Sequence, residues 1–249
     1  MDGNVVKAIL FDLDDTLIET SRAGAVAIRK ASELLQAALG LDDVTVAEIC
    51  GKFKQKLLLE RLDAAAGRAV DEVRAGHWEA SLQEAVGGST RPLAAQCYRL
   101  WKDSRLESLS LAPETRRLLR RLRGTHRLLL LTNGDAQVQR EKLQAVGCEG
   151  FFDAVVIGGE HAEQKPFPSI FRFCFEELGV EAGRCVMVGD SLDTDIGGAF
   201  NAGVLATVWI SRAGVVPDGS VKPDYTIPTV LDLPAVLEQI ESGERLKDE

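Results

Sequence analysis

Asp12 and Asp14 stand two residues apart in Phe11-Asp12-Leu13-Asp14-Asp15-Thr16-Leu17, directly after the apolar run Val5 to Leu10, which only Lys7 interrupts. Such a run reads as a buried strand, and carboxylates at its end lie where open α/β sheets collect ligands. Alone, the stretch also has blander readings, with Asp-x-Asp as a solvated turn and Asp15 or Thr16 as helix caps. Three later positions change the weighing. Thr132-Asn133-Gly134 closes the run Arg127 to Leu131, Lys165 precedes Pro166, and Asp190 follows Cys185 to Val188 across Gly189. Each falls at the carboxyl end of a predicted strand or in the loop after it, and a parallel sheet brings those ends to one edge.

The residue types suit phosphate chemistry. Carboxylates brought close together repel unless protonated or neutralised, and a hard divalent cation with oxygen ligands, Mg²⁺ above all, neutralises them while favouring phosphate oxygens. The backbone around Thr132 to Gly134 opens a helix and can donate N–H groups to a phosphate, and Lys165 adds a compact positive charge. One carboxylate can then attack phosphorus while a second protonates the leaving alcohol and later activates water.

Those positions need elements to hold them. From Thr16 to about Leu106 the chain is helical in character. Ala27, Ala31, Leu34, Leu35 and Ala38 recur at helical spacing before Gly40, and Thr45 with Glu48 has the form of a capping box opening a second helix. Further helices are expected at His77 to Ala85 and Pro92 to Lys102. From Pro113 onward helix and strand alternate: strands at Arg127 to Leu131, Ala154 to Ile157, Cys185 to Val188, Ala206 to Ile210 and Tyr225 to Ile227 are separated by helical stretches. The expected fold is α/β, a Rossmann-like, mainly parallel sheet core formed by residues 1–18 and 107–249. An all-helical cap inserted at 19–106 is expected to close over the crevice. Gly243 to Glu249 reads as a charged, frayed tail.

A net charge of −9, from 29 basic and 38 acidic residues, argues against broad nucleic-acid contact and leaves room for a small anionic substrate held by local cations. The arginines of the Pro113 helix, Arg116, Arg117, Arg120, Arg121 and Arg123, read as a solvated basic face. Cys50, Cys97, Cys148, Cys174 and Cys185 are odd in number and lack metal-type spacing, and Cys174 and Cys185, in apolar surroundings, are expected to be buried reduced thiols. With no secretory signal pattern and no apolar run long enough to span a bilayer, a soluble cytoplasmic protein without membrane partners is expected.

Four motifs together, Asp12-Leu13-Asp14-Asp15-Thr16, Thr132-Asn133-Gly134, Lys165-Pro166 and Gly189-Asp190-Ser191-Leu192-Asp193-Thr194-Asp195, resemble those of the haloacid dehalogenase superfamily, with a helical insertion just after the first. The resemblance implies Asp12 as a nucleophile that becomes an aspartyl-phosphate and Asp14 as general acid and then base. It implies Thr132, Asn133, Gly134 and Lys165 as phosphate binders, and a Mg²⁺ site formed by Asp12, Asp190 and the Asp14 backbone carbonyl, with Asp195 behind it. An acid at Asp14 favours ester hydrolysis over dehalogenation, because a departing halide needs no proton. A mutase shares the same pair, and a catalytically silent binding protein could share the fold.

Within the family, Leu128 to Asp135, Phe152 to Val156, Lys165 to Phe171 and Cys185 to Asp190, with His77-Trp78-Glu79 and Leu100-Trp101-Lys102, resemble phosphatases of small phosphorylated sugar acids. Another small sugar phosphate or a nucleotide is the alternative substrate. Lys52 and Lys56, on one predicted helix face, are candidates for a substrate carboxylate. Trp78, Trp101 and Trp209 read as packing residues, and neither they nor the histidines are assigned chemistry.

Overall fold

The computed structural model describes residues 6–60, 69–88 and 90–242. Val5 and the tail Gly243 to Glu249 lie outside the described residues. The chain forms two compact units, one made of Met1–Glu19 with Ser110–Glu249 and the other of Thr20–Leu109.

In the first unit, β1 (Ala8–Phe11) is fully buried along its length. A strand apolar on both faces belongs inside a parallel sheet covered by helices, and this one lies at its centre. With β2 (Arg127–Thr132), β3 (Ala154–Ile157), β4 (Cys185–Gly189), β5 (Ala206–Ile210) and β6 (Tyr225–Ile227) it forms a parallel sheet in the order β3-β2-β1-β4-β5-β6. The chain builds outward from β1 through β2 to β3, then returns to the other side of β1 with β4. That reversal opens a crevice at the carboxyl ends of β1 and β4, where such folds bind ligands. Phe11 is in register with both Leu130 and Val188, so the residues just past β1, β2 and β4 leave the sheet at nearly one level.

The helices of this unit are α5 (Pro113–Arg123), α6 (Ala136–Val146), α7 (Pro168–Leu178), α8 (Gly198–Ala202) and α9 (Leu233–Ser242). Ile170, Phe171, Cys174 and Phe175 of α7 pack on Leu10, Leu129, Leu131 and Met187, which joins the helix after Lys165 to the three central strands. The strands and most helices follow the sequence expectation, and the α/β, Rossmann-like class is what the structure has. One difference concerns the segment after β4. Instead of entering an ordinary helix, residues Leu192–Gly197 form a wider π-helical turn, closed at its start by the Ser191 side chain accepting from Thr194 N, before α8 begins. That turn re-aims Asp195 inward, where it is buried.

The second unit consists of α1 (Thr20–Leu39), α2 (Asp43–Leu58), α3 (Val70–Val86) and α4 (Arg91–Glu107). Its core is aromatic: Phe53 stacks on Trp78 with ring centroids 4.1 Å apart and meets Trp101 edge-on at 5.2 Å. The capping box expected at Thr45 and Glu48 is replaced by an earlier cap, because Asp42 accepts from Thr45 N at 2.8 Å and starts the helix at Asp43. Among the described residues no helix is long and apolar enough to cross a membrane. All five cysteines are buried free thiols, and burial pushes Cys97, Cys174 and Cys185 up to about 12.

Since Phe53 contacts both tryptophans, Phe53→Ala is expected to destabilise the helical unit by about 3–5 kcal/mol. Urea denaturation followed by tryptophan fluorescence reads this directly, and a loss under 1 kcal/mol would contradict the packing described.

Candidate active site

Asp12 is the first residue past β1, its N–H still donating to Val188 O at 2.9 Å. The chain then folds into a tight turn: Leu13 O accepts from Leu17 N and Ile18 N, and Asp15 N donates to Ile18 O at 2.8 Å. Asp15 adopts φ 56°, a left-handed conformation that Asp tolerates better than most residues. Asp15 therefore shapes the turn, while Asp12 and Asp14 carry their carboxylates on either side of it.

Lys165 is buried at 2% exposure, and its ammonium donates to Asp12 Oδ1 (2.7 Å), Asp195 Oδ1 (2.7 Å) and Leu131 O (2.8 Å). All three donor positions are thereby engaged, which is what a buried ammonium requires. Its backbone is held as firmly. Asn133 Oδ1 accepts from Lys165 N at 3.0 Å and Asn133 Nδ2 donates to Lys165 O at 2.8 Å, so Asn133 clamps the loop that delivers the lysine. Asp195 is fixed from its other oxygen, which accepts from Ser191 N at 3.0 Å. Gly189 leaves the space for it: a Cβ there would lie 2.2 Å from Asp195 Oδ2.

Asp12, Asp190 and Asp195 each place a carboxylate oxygen within 4.8 Å of the others. Among the described residues Lys165 is the ammonium paired with them, and three ionised acids with one ammonium carry two negative charges in excess. The strain is visible in the acids. Burial pushes Asp12 up to about 7 against the pull of Lys165, with Asp195 adding to the rise. Asp190 is pushed up to about 6 by burial, then by Asp195 and Asp15. Burial alone would lower the Lys165 ammonium, but the carboxylates of Asp12 and Asp195 outweigh it and hold it above its usual range. An all-oxygen donor set of this density and charge fits a hard divalent cation. Trp209, read from the sequence as a packing residue, donates its indole N–H to Asp190 O at 2.8 Å and so anchors the loop after β4.

Thr132 ends β2 fully buried, and Gly134, at φ 113°, turns the chain toward α6, where Asp135 caps the helix by accepting from Val138 N. Gly134 N donates to Gln164 Oε1 at 3.2 Å. Two residues of α6 were not singled out from the sequence. Gln139 donates to Thr132 Oγ1 (2.5 Å) and to Asp14 Oδ2 (3.1 Å), and the Lys142 ammonium lies 2.8 and 2.7 Å from the two Asp14 oxygens. Both are almost fully buried. The signal was available: with Leu143 and Val146 they form an i, i+3, i+4, i+7 stripe, and polar residues inside a core-facing stripe call for buried partners.

The other sequence candidates are accounted for within their units. Lys52 and Lys56 both pair with Glu84, at 3.4 and 2.8 Å, and Lys52 also with Glu48. Of the α5 arginines, Arg116 donates to Leu111 O and Val146 O, Arg123 to Gly150 O, Arg117 pairs with Glu114, and Arg120 lies over the Phe151 ring. A cleft of about 640 Å³ at the amino ends of the strands includes Lys7, Arg127 and Arg184, but it shares no residue with the acid cluster.

A family model for haloacid dehalogenase-like hydrolases matches residues 6–203, and the chain belongs to that family. N-acylneuraminate-9-phosphatase of Homo sapiens is 47% identical over 238 residues, covering 95% of each chain. Glyceraldehyde 3-phosphate phosphatase of Methanopyrus kandleri is 33% identical over 227 residues, covering 90% of this chain and 91% of its own. Among solved structures, the magnesium-bound HAD-hydrolase YfnB of Bacillus subtilis aligns with a TM-score of 0.69 over 94% of this chain and 99% of its own, at 24% identity, a likeness of fold.

The raised Asp190 carboxyl has a consequence for stability. Its value is about 6 in the folded protein against 3.8 ordinarily, so between those values the folded state binds the proton more strongly, and stability falls as pH rises through the window. In the metal-free protein Asp190→Asn should therefore stabilise by roughly 1 kcal/mol near pH 8, allowing for partial exposure, and change little near pH 4. Urea midpoints at the two pH values measure the difference, and equal shifts would count against the strained cluster.

Proposed function

We propose that this hydrolase is a phosphomonoesterase that works through Asp12. The observation carrying the reading is the buried Lys165 ammonium, which fixes the Asp12 carboxylate at the switch-point crevice, with Asp14 on the adjoining turn. In this scheme an Asp12 oxygen attacks phosphorus and the bond to the alcohol oxygen breaks as Asp14 delivers its proton there. Asp14, now a carboxylate, takes a proton from the water that attacks the aspartyl-phosphate, which releases phosphate and restores Asp12. Thr132, the backbone at Asn133 and Gly134, and Lys165 would bind the phosphoryl oxygens, with Lys165 and Gly134 N each exchanging a present contact for one to phosphate.

Asp12 and Asp190, with the Asp14 backbone carbonyl, would hold Mg²⁺, and Asp195 would orient Lys165 beside it. The cation supplies the positive charge that lets an anionic nucleophile approach an anionic ester. The excess of carboxylates over ammonium at Asp12, Asp190 and Asp195, which together with burial raises the Asp12 carboxyl, supports this assignment.

For the substrate we propose N-acylneuraminate 9-phosphate, hydrolysed to the free sugar acid. What supports it is 47% identity to the Homo sapiens enzyme of that name across 95% of both chains. The proposed location is the cytoplasm, consistent with five buried thiols outside any disulfide.

Asp12→Asn should reduce turnover by about 10³-fold or more with the fold intact by circular dichroism. A chelator should abolish activity and Mg²⁺ restore it. In a panel of N-acylneuraminate 9-phosphate, glyceraldehyde 3-phosphate and a pyrimidine 5′-nucleotide, the first should show the highest kcat/KM. Retained turnover in Asp12→Asn would refute the nucleophile, and preference for another ester would refute the substrate.

A further inference from the structure

We propose that Lys142 is a positioning residue for proton delivery: through its contact with both Asp14 oxygens it sets where Asp14 meets the leaving group, with Gln139 tying that position to Thr132. The inference rests on the reading of Asp14 as the proton donor.

The backbone of Asp14 is set by the turn, where it bridges to Ile18, but its side chain is 30% exposed, so the direction of its carboxylate depends on the groups that hold it. Proton delivery requires that direction to be fixed, because a misplacement of about 1 Å at a reacting group can cost roughly 10²-fold in rate. The Lys142 ammonium answers this by approaching both carboxylate oxygens of the ionised form, at 2.8 and 2.7 Å; when Asp14 carries the proton, one oxygen still accepts from Lys142 and the other bears the hydrogen that goes to the leaving group. A lysine stem long enough to carry its charge to solvent instead keeps the side chain 5% exposed, so the ammonium is committed to this position.

Gln139 adds the link to phosphate. Its amide nitrogen has two hydrogens, and the two contacts made are Asp14 Oδ2 and Thr132 Oγ1. Residues 139 and 142 are three apart, on one face of α6, and the first turn of that helix is fixed by the Asp135 cap directly after the Thr132-Asn133-Gly134 loop. One rigid element thus references the proton donor to the phosphate-binding threonine. A purely architectural Lys–Asp pair would lower activity evenly, whereas a positioning role acts only where the leaving group needs a proton.

The test compares kcat/KM, which reports steps through departure of the leaving group, for an alkyl phosphate ester and for p-nitrophenyl phosphate, whose leaving group departs without protonation. Lys142→Met is expected to lower the alkyl value by about 30- to 100-fold and the aryl value at least ten times less, with partial recovery in Lys142→Arg. If Lys142→Met does not fold, Lys142→Gln takes its place and should show the same split at smaller size. Equal losses on both esters, or no loss on either, would overturn the inference. Asp14→Asn on the same pair separates the two levels. A split in Asp14→Asn without one at Lys142 removes the positioning role alone, and no split in Asp14→Asn removes the proton-donor reading beneath it.

Discussion

One ammonium buried between two carboxylates organises the sheet-containing unit. Lys165 reaches Asp12 from the β1 turn and Asp195 from the turn after β4, and its third hydrogen bond goes to Leu131 O at the end of β2. The crevice side of three neighbouring strands therefore shares one cation. A buried ammonium with a missing partner costs several kcal/mol, so each of these contacts constrains the others. The surrounding sequence serves this geometry: Asn133 clamps the lysine backbone, Gly189 vacates the volume that Asp195 occupies, and α7 ties the Lys165 loop to the central strands.

That same interaction leaves the site electrostatically incomplete. A single positive charge cannot balance Asp12, Asp190 and Asp195, and the raised Asp12 and Asp190 carboxyls record the excess. A divalent cation is complementary to such a cluster, and the positive charge it brings is what would let an anionic phosphate ester approach. Asp14 adds a smaller share to the rise at Asp12, but its own carboxylate is turned to Lys142 and Gln139 on α6. Two carboxylates two residues apart thus occupy different environments, which is the condition for giving them different roles.

Much of the fold was legible because parallel strands announce themselves. The run at Ala154 to Ile157 is apolar on both faces, that at Ala206 to Ile210 is apolar but for Thr207, and the structure has strands at those residues. The family was legible from four motifs in order at strand ends. Side-chain destinations were harder to read. Spacing shows that Asn133 sits beside Thr132, but not that its amide holds Lys165, thirty-two residues away. Trp209 looked like packing because an indole N–H partner in the loop after another strand leaves no local trace. The cap of α2 was misjudged by three residues because Asp42 and Thr45 are both good caps, and the helix takes the earlier one.

The central claim is that the Asp12 carboxylate itself carries the phosphoryl group during turnover. Enzyme mixed with N-acylneuraminate 9-phosphate and Mg²⁺, quenched in acid at intervals within one turnover and mapped by mass spectrometry of its peptides, tests it most directly. The account predicts phosphate on the peptide at Asp12, rising and then vanishing as substrate is consumed. Phosphate on another residue, or a full turnover of product with none on the protein at any quench time, would contradict it.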